Sequence, residues 1–454
     1  MKESSLLTAS SLYSLSLPFM SSLSKIPFLV YADEGGAIFD DRDLIMSGRS
    51  GFDAVALDVD DFIELPEGTD VFMLPDRHPI GFNKKNGEPT ICKKGFAVAA
   101  QLAPAHTQFY LSSFVKNPGA STLPLYAYTA VGWLDGKFYV PATRVDPDIR
   151  QEPKSFDQNQ VAKSVAQLTQ KFPGNRLLRH IGENCALTYR CPAARNFFLN
   201  RYEAPIPTSP ACNSNCIGCI SFQPENESIS STQDRLTFKP TAQEIVEYTV
   251  DHLNTAPNPV ISFGQGCEGE PLLMWETIRD AIRLIRKKTQ LGSININTNA
   301  SMPASVEELC KSGLNSIRVS TNSVRKTIYE SYYLPNNYSF EALAESIRVV
   351  RKYNGWASIN YFVFPGMTDS VEEYEALRKF IRSTDLNMIQ WRNFNIDPDW
   401  YLERIGITDT GDAIGVKKMM ELIREEFPQV AFGYFNPGID MIRNHREQES
   451  SAHA

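Results

Sequence analysis

The chain has 454 residues, 42% of them hydrophobic and 22% charged, enough apolar material for a sizeable core and a length that favours two domains. Its formal charge of −8 disfavours nucleic acid as the main partner, because gripping a phosphate backbone needs a basic face. No run approaches the ~18 consecutive apolar residues of a membrane-spanning helix, so no membrane partner is expected.

Residues 1–24 are Ser-rich and nearly uncharged. Serines interrupt the apolar run and no small-x-small cleavage site follows it. The segment therefore reads as a disordered extension rather than a signal peptide, and the protein as cytoplasmic. From 25 to 150 short apolar runs alternate with turn residues. Gly35-Gly36, Asn86-Gly87 and Asp135-Gly136 stand between such runs in the manner of hairpin turns, which predicts a β-rich N-terminal domain.

Residues 151–204 read as a connector with a helix near Asn159–Lys171, and Pro205–Pro210 as a stiff entry to the next domain. From 205 to 400 the pattern changes. The strand-like runs 260–264, 293–298, 316–320, 358–364 and 388–394 alternate with amphipathic segments of helical length. Repeated strand–helix alternation predicts a parallel sheet with crossover helices, a full or partial (β/α) barrel. Residues 401–454 add a helix (416–427), a strand (429–435) and a polar disordered tail. The fold class is α/β, a partial barrel preceded by a smaller β-rich domain.

Eight cysteines are present, and three fall in the run Cys212-x3-Cys216-x2-Cys219. Thiolates select iron–sulfur clusters, zinc or Cu(I). Three on one loop can each take one iron of a cubane and leave the fourth iron open to a ligand. A zinc ion completed by a ligand elsewhere is the alternative.

The run CNSNCIGC, placed after a short strand, resembles the signature loop of the radical S-adenosylmethionine (radical SAM) superfamily. The resemblance implies a [4Fe–4S] cluster on Cys212, Cys216 and Cys219. It also implies S-adenosylmethionine on the open iron, reductive cleavage to a 5′-deoxyadenosyl radical, and hydrogen abstraction from a substrate. An electron donor such as flavodoxin or ferredoxin follows from the same resemblance. Phe263 to Leu272 (FGQGCEGEPL) follows a strand and is similar to the family's Gly-Gly-Glu-Pro motif. Gly269 there lets the backbone approach the cofactor's amino group and Glu270 accepts from it. Glu268 stands where the family usually has Gly.

Asn299, Ser320 and Asn322 close two successive strands, where the family hydrogen-bonds ribose and carboxylate. The family usually has an aromatic residue immediately before the last cluster cysteine. Here it is Gly218, whose backbone could contact the base while Phe222 substitutes for the ring. Polar Arg392 on a strand that should be apolar reads as facing substrate or cofactor. The resemblance covers about residues 205–400.

Cys92, Cys185, Cys191 and Cys267 could make a second metal site, but no tight spacing supports it and they read as buried inert thiols. Cys267 is the exception: its loop should lie near the cofactor, so its thiol is a candidate hydrogen-atom donor. No cysteine follows Cys310, which disfavours both the peptide-modifying members with C-terminal auxiliary clusters and the rRNA-methylating members that need a C-terminal methyl-carrying cysteine. The substrate is left as a small molecule or a peptide or protein. Two rival readings stand beside this one: a non-catalytic iron–sulfur or zinc protein that transfers electrons or scaffolds, and an RNA-modifying radical SAM enzyme.

Overall fold

The computed structural model describes residues 25–225 and 227–452; the Ser-rich stretch 1–24 lies outside the described residues. From Phe28 to Arg144 the chain forms an antiparallel sheet of eleven strands. Its hairpins fall at the expected turns. Asp135 and Gly136 join Gly132–Leu134 to Lys137–Arg144 with both residues at positive φ, 48° and 83°. That is the backbone of a type I′ turn, whose twist matches that of the strands it joins.

A helical connector follows. Gln158–Lys171 begins where the Asp157 side chain accepts from the N–H groups of Asn159 and Gln160, a side-chain N-cap. Next come the short helix Arg176–His180, a π-helical segment Ile181–Thr188 and the helix Pro192–Phe198.

Seven parallel strands then pair in sequence order: Glu203–Ile206, Val260–Phe263, Ser293–Thr298, Ser316–Thr321, Trp356–Val363, Met388–Asn393 and Ala431–Phe432. Helices alternate with them, and the first strand does not pair with the last, so this is a partial barrel. Period-two alternation decides what each face holds. Ile261, Ile294, Ile296, Ile317, Val319, Ile359 and Ile389 are fully buried in one continuous core. The alternate positions are polar: Ser262, Asn295, Asn297, Arg318, Ser320, Asn360, Gln390 and Arg392. Strand register sets Asn297 beside Arg318, Ser320 beside Asn360, and Asn360 beside Gln390. The barrel thus has an apolar outer layer and a polar lumen.

A hydrogen-bonded network fills one end of that lumen. Asn295 Nδ2 donates to Ser262 Oγ at 2.9 Å, Ser316 Oγ donates to Asn295 Oδ1 at 2.8 Å, and Asn436 Nδ2 donates to Glu203 Oε1 at 2.7 Å. The other end is open.

The N-terminal sheet docks on the sixth strand. Thr107 Oγ1 donates to the Trp391 carbonyl at 2.8 Å, and Gln108 N–H to Asn393 Oδ1 at 2.8 Å. A fully buried ion pair joins Arg77 to Asp397 at 2.9 Å. The last segment differs from expectation. The strand near 429–435 shrinks to Ala431–Phe432, and Ile439–Ala452 is helix in place of a polar disordered tail. Few of its residues are apolar, but Ile442 is buried against Trp356 and Met388, and His445 packs edge-on to Trp356. Among the described residues no helix is long and apolar enough to cross a membrane.

Candidate active site

A cavity of about 500 Å³ opens at the lumen's free end, and its lining brings together most of the residues singled out from sequence: Cys212, Cys216, Gly218, Cys219, Gly269, Glu270, Asn299, Ser320 and Arg392. All its lining residues fall between 212 and 434.

The cysteine loop has little freedom. Its backbone is tied to the helix end at Tyr332–Leu334, with Ile217 N–H on the Tyr332 carbonyl and Asn215 N–H on the Tyr333 carbonyl, both at 3.1 Å. Gln223 Nε2 donates to the carbonyls of Ile217 and Cys219 at 3.0 and 2.8 Å. Arg235, which no motif or spacing marks, donates from Nη2 to Cys219 Sγ at 3.4 Å. Burial pushes the Cys212 thiol up to about 11 and Cys216 well above its usual value, with neighbouring cysteines adding to both. A cation among the three sulfurs offsets that penalty.

The donor set fits a cluster better than a single ion. Thiolates on one tetrahedral zinc sit about 3.8 Å apart, as a Zn–S bond of about 2.3 Å requires. Among the described residues the group of donors within 4.8 Å of one another is His180, Cys185 and Cys267, not the three loop cysteines. Sulfurs spread more widely suit separate irons.

Gly218 has no room for a side chain. A Cβ there would stand 2.2 Å from Ile396 Cδ1 and 3.0 Å from Tyr332 Oη. Ile396 and Tyr332 therefore fill the space that an aromatic ring would take. Phe222 does not replace it: its ring is 51% exposed, under the Arg235 guanidinium at 5.0 Å.

The glycine loop is equally confined. Gly264, at φ 78°, would place a Cβ 1.8 Å from the Asn297 carbonyl oxygen, and Gly269 would place one 2.0 Å from that of Ala211. Such contacts explain the glycines. Glu268, where Gly is usual, turns inward. Its carboxylate accepts from the N–H groups of Thr208 (2.7 Å), Ser209 (2.8 Å) and Gln265 (2.8 Å), bolting the loop to the chain entering the cysteine run. Glu270 accepts from Leu272 N–H at 2.9 Å, Asn299 N–H at 2.8 Å and the Thr298 hydroxyl. A carboxylate offers about four acceptor sites, so one is left for the cavity. Burial pushes both carboxyls up to about 7 against the pull of these donors.

Asn299 works as a tie: its Nδ2 donates to Asn213 Oδ1 at 2.7 Å and Ser214 Oγ at 3.1 Å, joining the third strand to the cysteine loop. The far wall holds residues that sequence reading passed over. Arg318 is buried, and its Nη1 donates to Gln390 Oε1 (2.8 Å) and the Tyr434 carbonyl (3.1 Å). Its Nε and Nη2 have no partner, nor does Asn360 Oδ1. Burial lowers Arg318 to about 10. The signal that would have found both is the one that marked Arg392, a polar side chain on the lumen phase of a strand. Arg392 itself stands over the Phe362 ring at 5.4 Å.

Two candidates lie elsewhere. Asn322 is outside the lining, fully buried, with Nδ2 donating to Tyr401 Oη at 3.1 Å. Cys267 belongs to the glycine loop, but its side chain is buried outside the lining, with Sγ 3.5 Å from Cys185 Sγ. A hydrogen-donating thiol in the cavity therefore has no support from its position.

Residues 206–381 match the profile described as the Radical SAM superfamily. A curated relative, the probable dual-specificity RNA methyltransferase RlmN of Chlorobium phaeobacteroides, is 24% identical over 238 residues, covering 48% of this chain and 63% of that protein. The chain thus spans less than two thirds of the length of this relative. Among solved structures, a radical SAM methyltransferase from Sphaerobacter thermophilus has a TM-score of 0.38 and 17% identity, covering 52% of this chain and 67% of that one. For Streptococcus suis SuiB bound to S-adenosylmethionine the TM-score is 0.36 and the identity 14%, with 60% and 62% covered.

Proposed function

Because the chain is a member of the radical SAM superfamily, and so an enzyme of that class, we propose that it holds a [4Fe–4S] cluster on Cys212, Cys216 and Cys219 and binds S-adenosylmethionine beside it. Together these groups supply, when bound, one-electron reductive cleavage of the sulfonium and a carbon radical that abstracts hydrogen from a substrate. The observation that carries the proposal is one cavity with the cysteine loop on one wall and partnerless polar atoms of Arg318 and Asn360 on the other.

The chain's own residues divide the remaining work. Arg235 sets a positive charge and an N–H on Cys219 Sγ, one of the levers that tunes a cluster's potential. Glu270 keeps an acceptor for the cofactor's ammonium, and Glu268 and Asn299 hold the loops in register. Arg318 offers two N–H donors from a rigid fork, the geometry that suits a carboxylate. Arg392, Ser320, Asn360 and Gln390 complete a polar wall for a carboxylate-bearing ligand. Tyr332 and Tyr333 exclude water from the side nearest Cys216, and the plugged lumen closes the floor. The N-terminal domain contributes no lining residue and serves to cover the sixth strand.

The substrate is a small molecule or a peptide side chain reaching this cavity, and reducing equivalents come from a flavodoxin- or ferredoxin-type donor. The similarity to an RNA methyltransferase favours a second reading, RNA modification. The charge of −8 weighs against it, and salt-sensitive RNA binding would revive it. Anaerobic reconstitution with iron and sulfide tests the cluster. Native protein should take up about four irons per chain and Cys216→Ala should not; no iron, with zinc uptake that is lost in Cys216→Ala, would support the scaffold reading instead.

A further inference from the structure

Outside the cavity, the structure assembles a second set of metal-type donors. His180, Cys185 and Cys267 each offer one ligand atom, and the three atoms lie within 4.8 Å of one another. Cys185 Sγ and Cys267 Sγ are 3.5 Å apart and buried. That is far from the ~2.05 Å of a disulfide and near the ~3.8 Å between two thiolates on one zinc. His180 Nε2 is buried and its imidazole faces the Cys267 thiol, which it pulls toward the thiolate, with no other hydrogen-bond partner on Nε2.

The backbone is shaped to bring these donors together. His180 and Cys185 are five residues apart, and at 3.6 residues per turn they would point about 140° away from each other on an α-helix. The chain runs instead as a π-helix over Ile181–Thr188, whose i→i+5 pattern appears in the Tyr189 N–H bond to the Asn184 carbonyl at 2.8 Å. Its wider turn brings Cys185 over His180. Such segments are rare and concentrate at functional sites. Three protein donors leave a fourth position. The next thiol along the chain, Cys191, is tied to Cys185 by its N–H donating to the Cys185 carbonyl at 2.8 Å.

We propose that His180, Cys185 and Cys267 bind a zinc ion at a site separate from the cysteine loop. Two thiolates and an imidazole are the donor set that zinc prefers, and a tetrahedral ion tolerates these separations. The ion cross-links the helical connector to the loop that carries Glu268 and Glu270. Its role is therefore positional: it holds the glycine loop against the barrel from behind, without touching the cavity. The assignment does not rest on the reading of the neighbouring cavity.

The test uses the full chain with Cys212, Cys216 and Cys219 all changed to Ala, so that no cluster thiol contributes. Metal content after purification and dialysis against zinc should be one ion per chain. It should fall below about a tenth of that in Cys185→Ser and Cys267→Ser, as loss of a ligand from a three-donor site requires. Cobalt(II) as a probe should give a thiolate-to-cobalt charge-transfer band and tetrahedral d–d bands, competed away by zinc; this readout leaves the proposed ligands intact and so does not depend on those variants folding. A folded triple-Ala chain that takes up neither zinc nor cobalt at this site overturns the proposal. So does a Cys185–Cys267 disulfide found by mass spectrometry of protein purified anaerobically.

Discussion

Arg318→Met separates a functional arginine from a structural one. In the folded chain burial lowers Arg318 from its ordinary value to about 10. At about 1.4 kcal/mol per unit, keeping that guanidinium charged costs the fold on the order of 3 kcal/mol. Methionine removes the cost and also the two hydrogen bonds to Gln390 and the Tyr434 carbonyl, worth about 1–1.5 kcal/mol each. The two effects nearly cancel, so urea unfolding of the ligand-free chain should show stability unchanged or raised by about 1 kcal/mol. An arginine held for structure would instead cost about 3–5 kcal/mol. If its two partnerless nitrogens hold a carboxylate, as proposed, charged hydrogen bonds of about 1.5–3 kcal/mol each put the loss of cofactor cleavage on the order of 100-fold or more. A variant destabilised by 3 kcal/mol or more with cleavage intact would refute the reasoning.

Gly218→Ala drives a methyl into Ile396, whose fully buried side chain cannot swing away; overpacking should cost about 1–3 kcal/mol. Ile396→Val removes the nearest atom and should recover at least about 1 kcal/mol of that in a double-mutant cycle, whereas additivity within about 0.5 kcal/mol would contradict the packing. Arg77→Ala leaves Asp397 buried and unpaired and should cost about 3–5 kcal/mol, read by chemical denaturation. His252, buried with Nε2 donating to the Tyr202 carbonyl at 2.9 Å, is lowered to about 4 from 6.5. The unfolded chain binds the extra proton between those values, so stability should fall as pH drops from 6.5 toward 4. The loss is on the order of 3 kcal/mol relative to His252→Asn, whose difference curve isolates this group from the buried carboxyls.

What the sequence revealed was local. The spacing of Cys212, Cys216 and Cys219 and the strand–helix alternation each lie within a short window, and strand positions could be read to within a few residues. The Asp135-Gly136 turn was legible for the same reason. What it hid depends on contacts across long separations. Cys267 looked like a cavity residue because its loop is one; that it points backward to Cys185, 82 positions away, is set by packing. Asn322 closes a strand as Asn299 does, yet Tyr401 captures it. The π-helix at Ile181–Thr188 has no residue signature that distinguishes it from an α-helix. The final helix was missed because its apolar anchor is the single residue Ile442. Arg318 and Asn360 were within reach, since the period-two pattern that exposed Arg392 marks them too.

Five residues hold the two loops at the cavity mouth: Gln223, Arg235, Glu268, Glu270 and Asn299. Cofactor cleavage requires a cluster on the loop these residues hold, and Cys216→Ala removes one of its proposed ligands. Native and Cys216→Ala protein, reconstituted anaerobically and reduced with dithionite in the presence of S-adenosylmethionine, should be assayed by chromatography for 5′-deoxyadenosine. The native chain should form it and the variant should form none. A native chain with a full cluster and bound cofactor that yields no 5′-deoxyadenosine would contradict the proposed function.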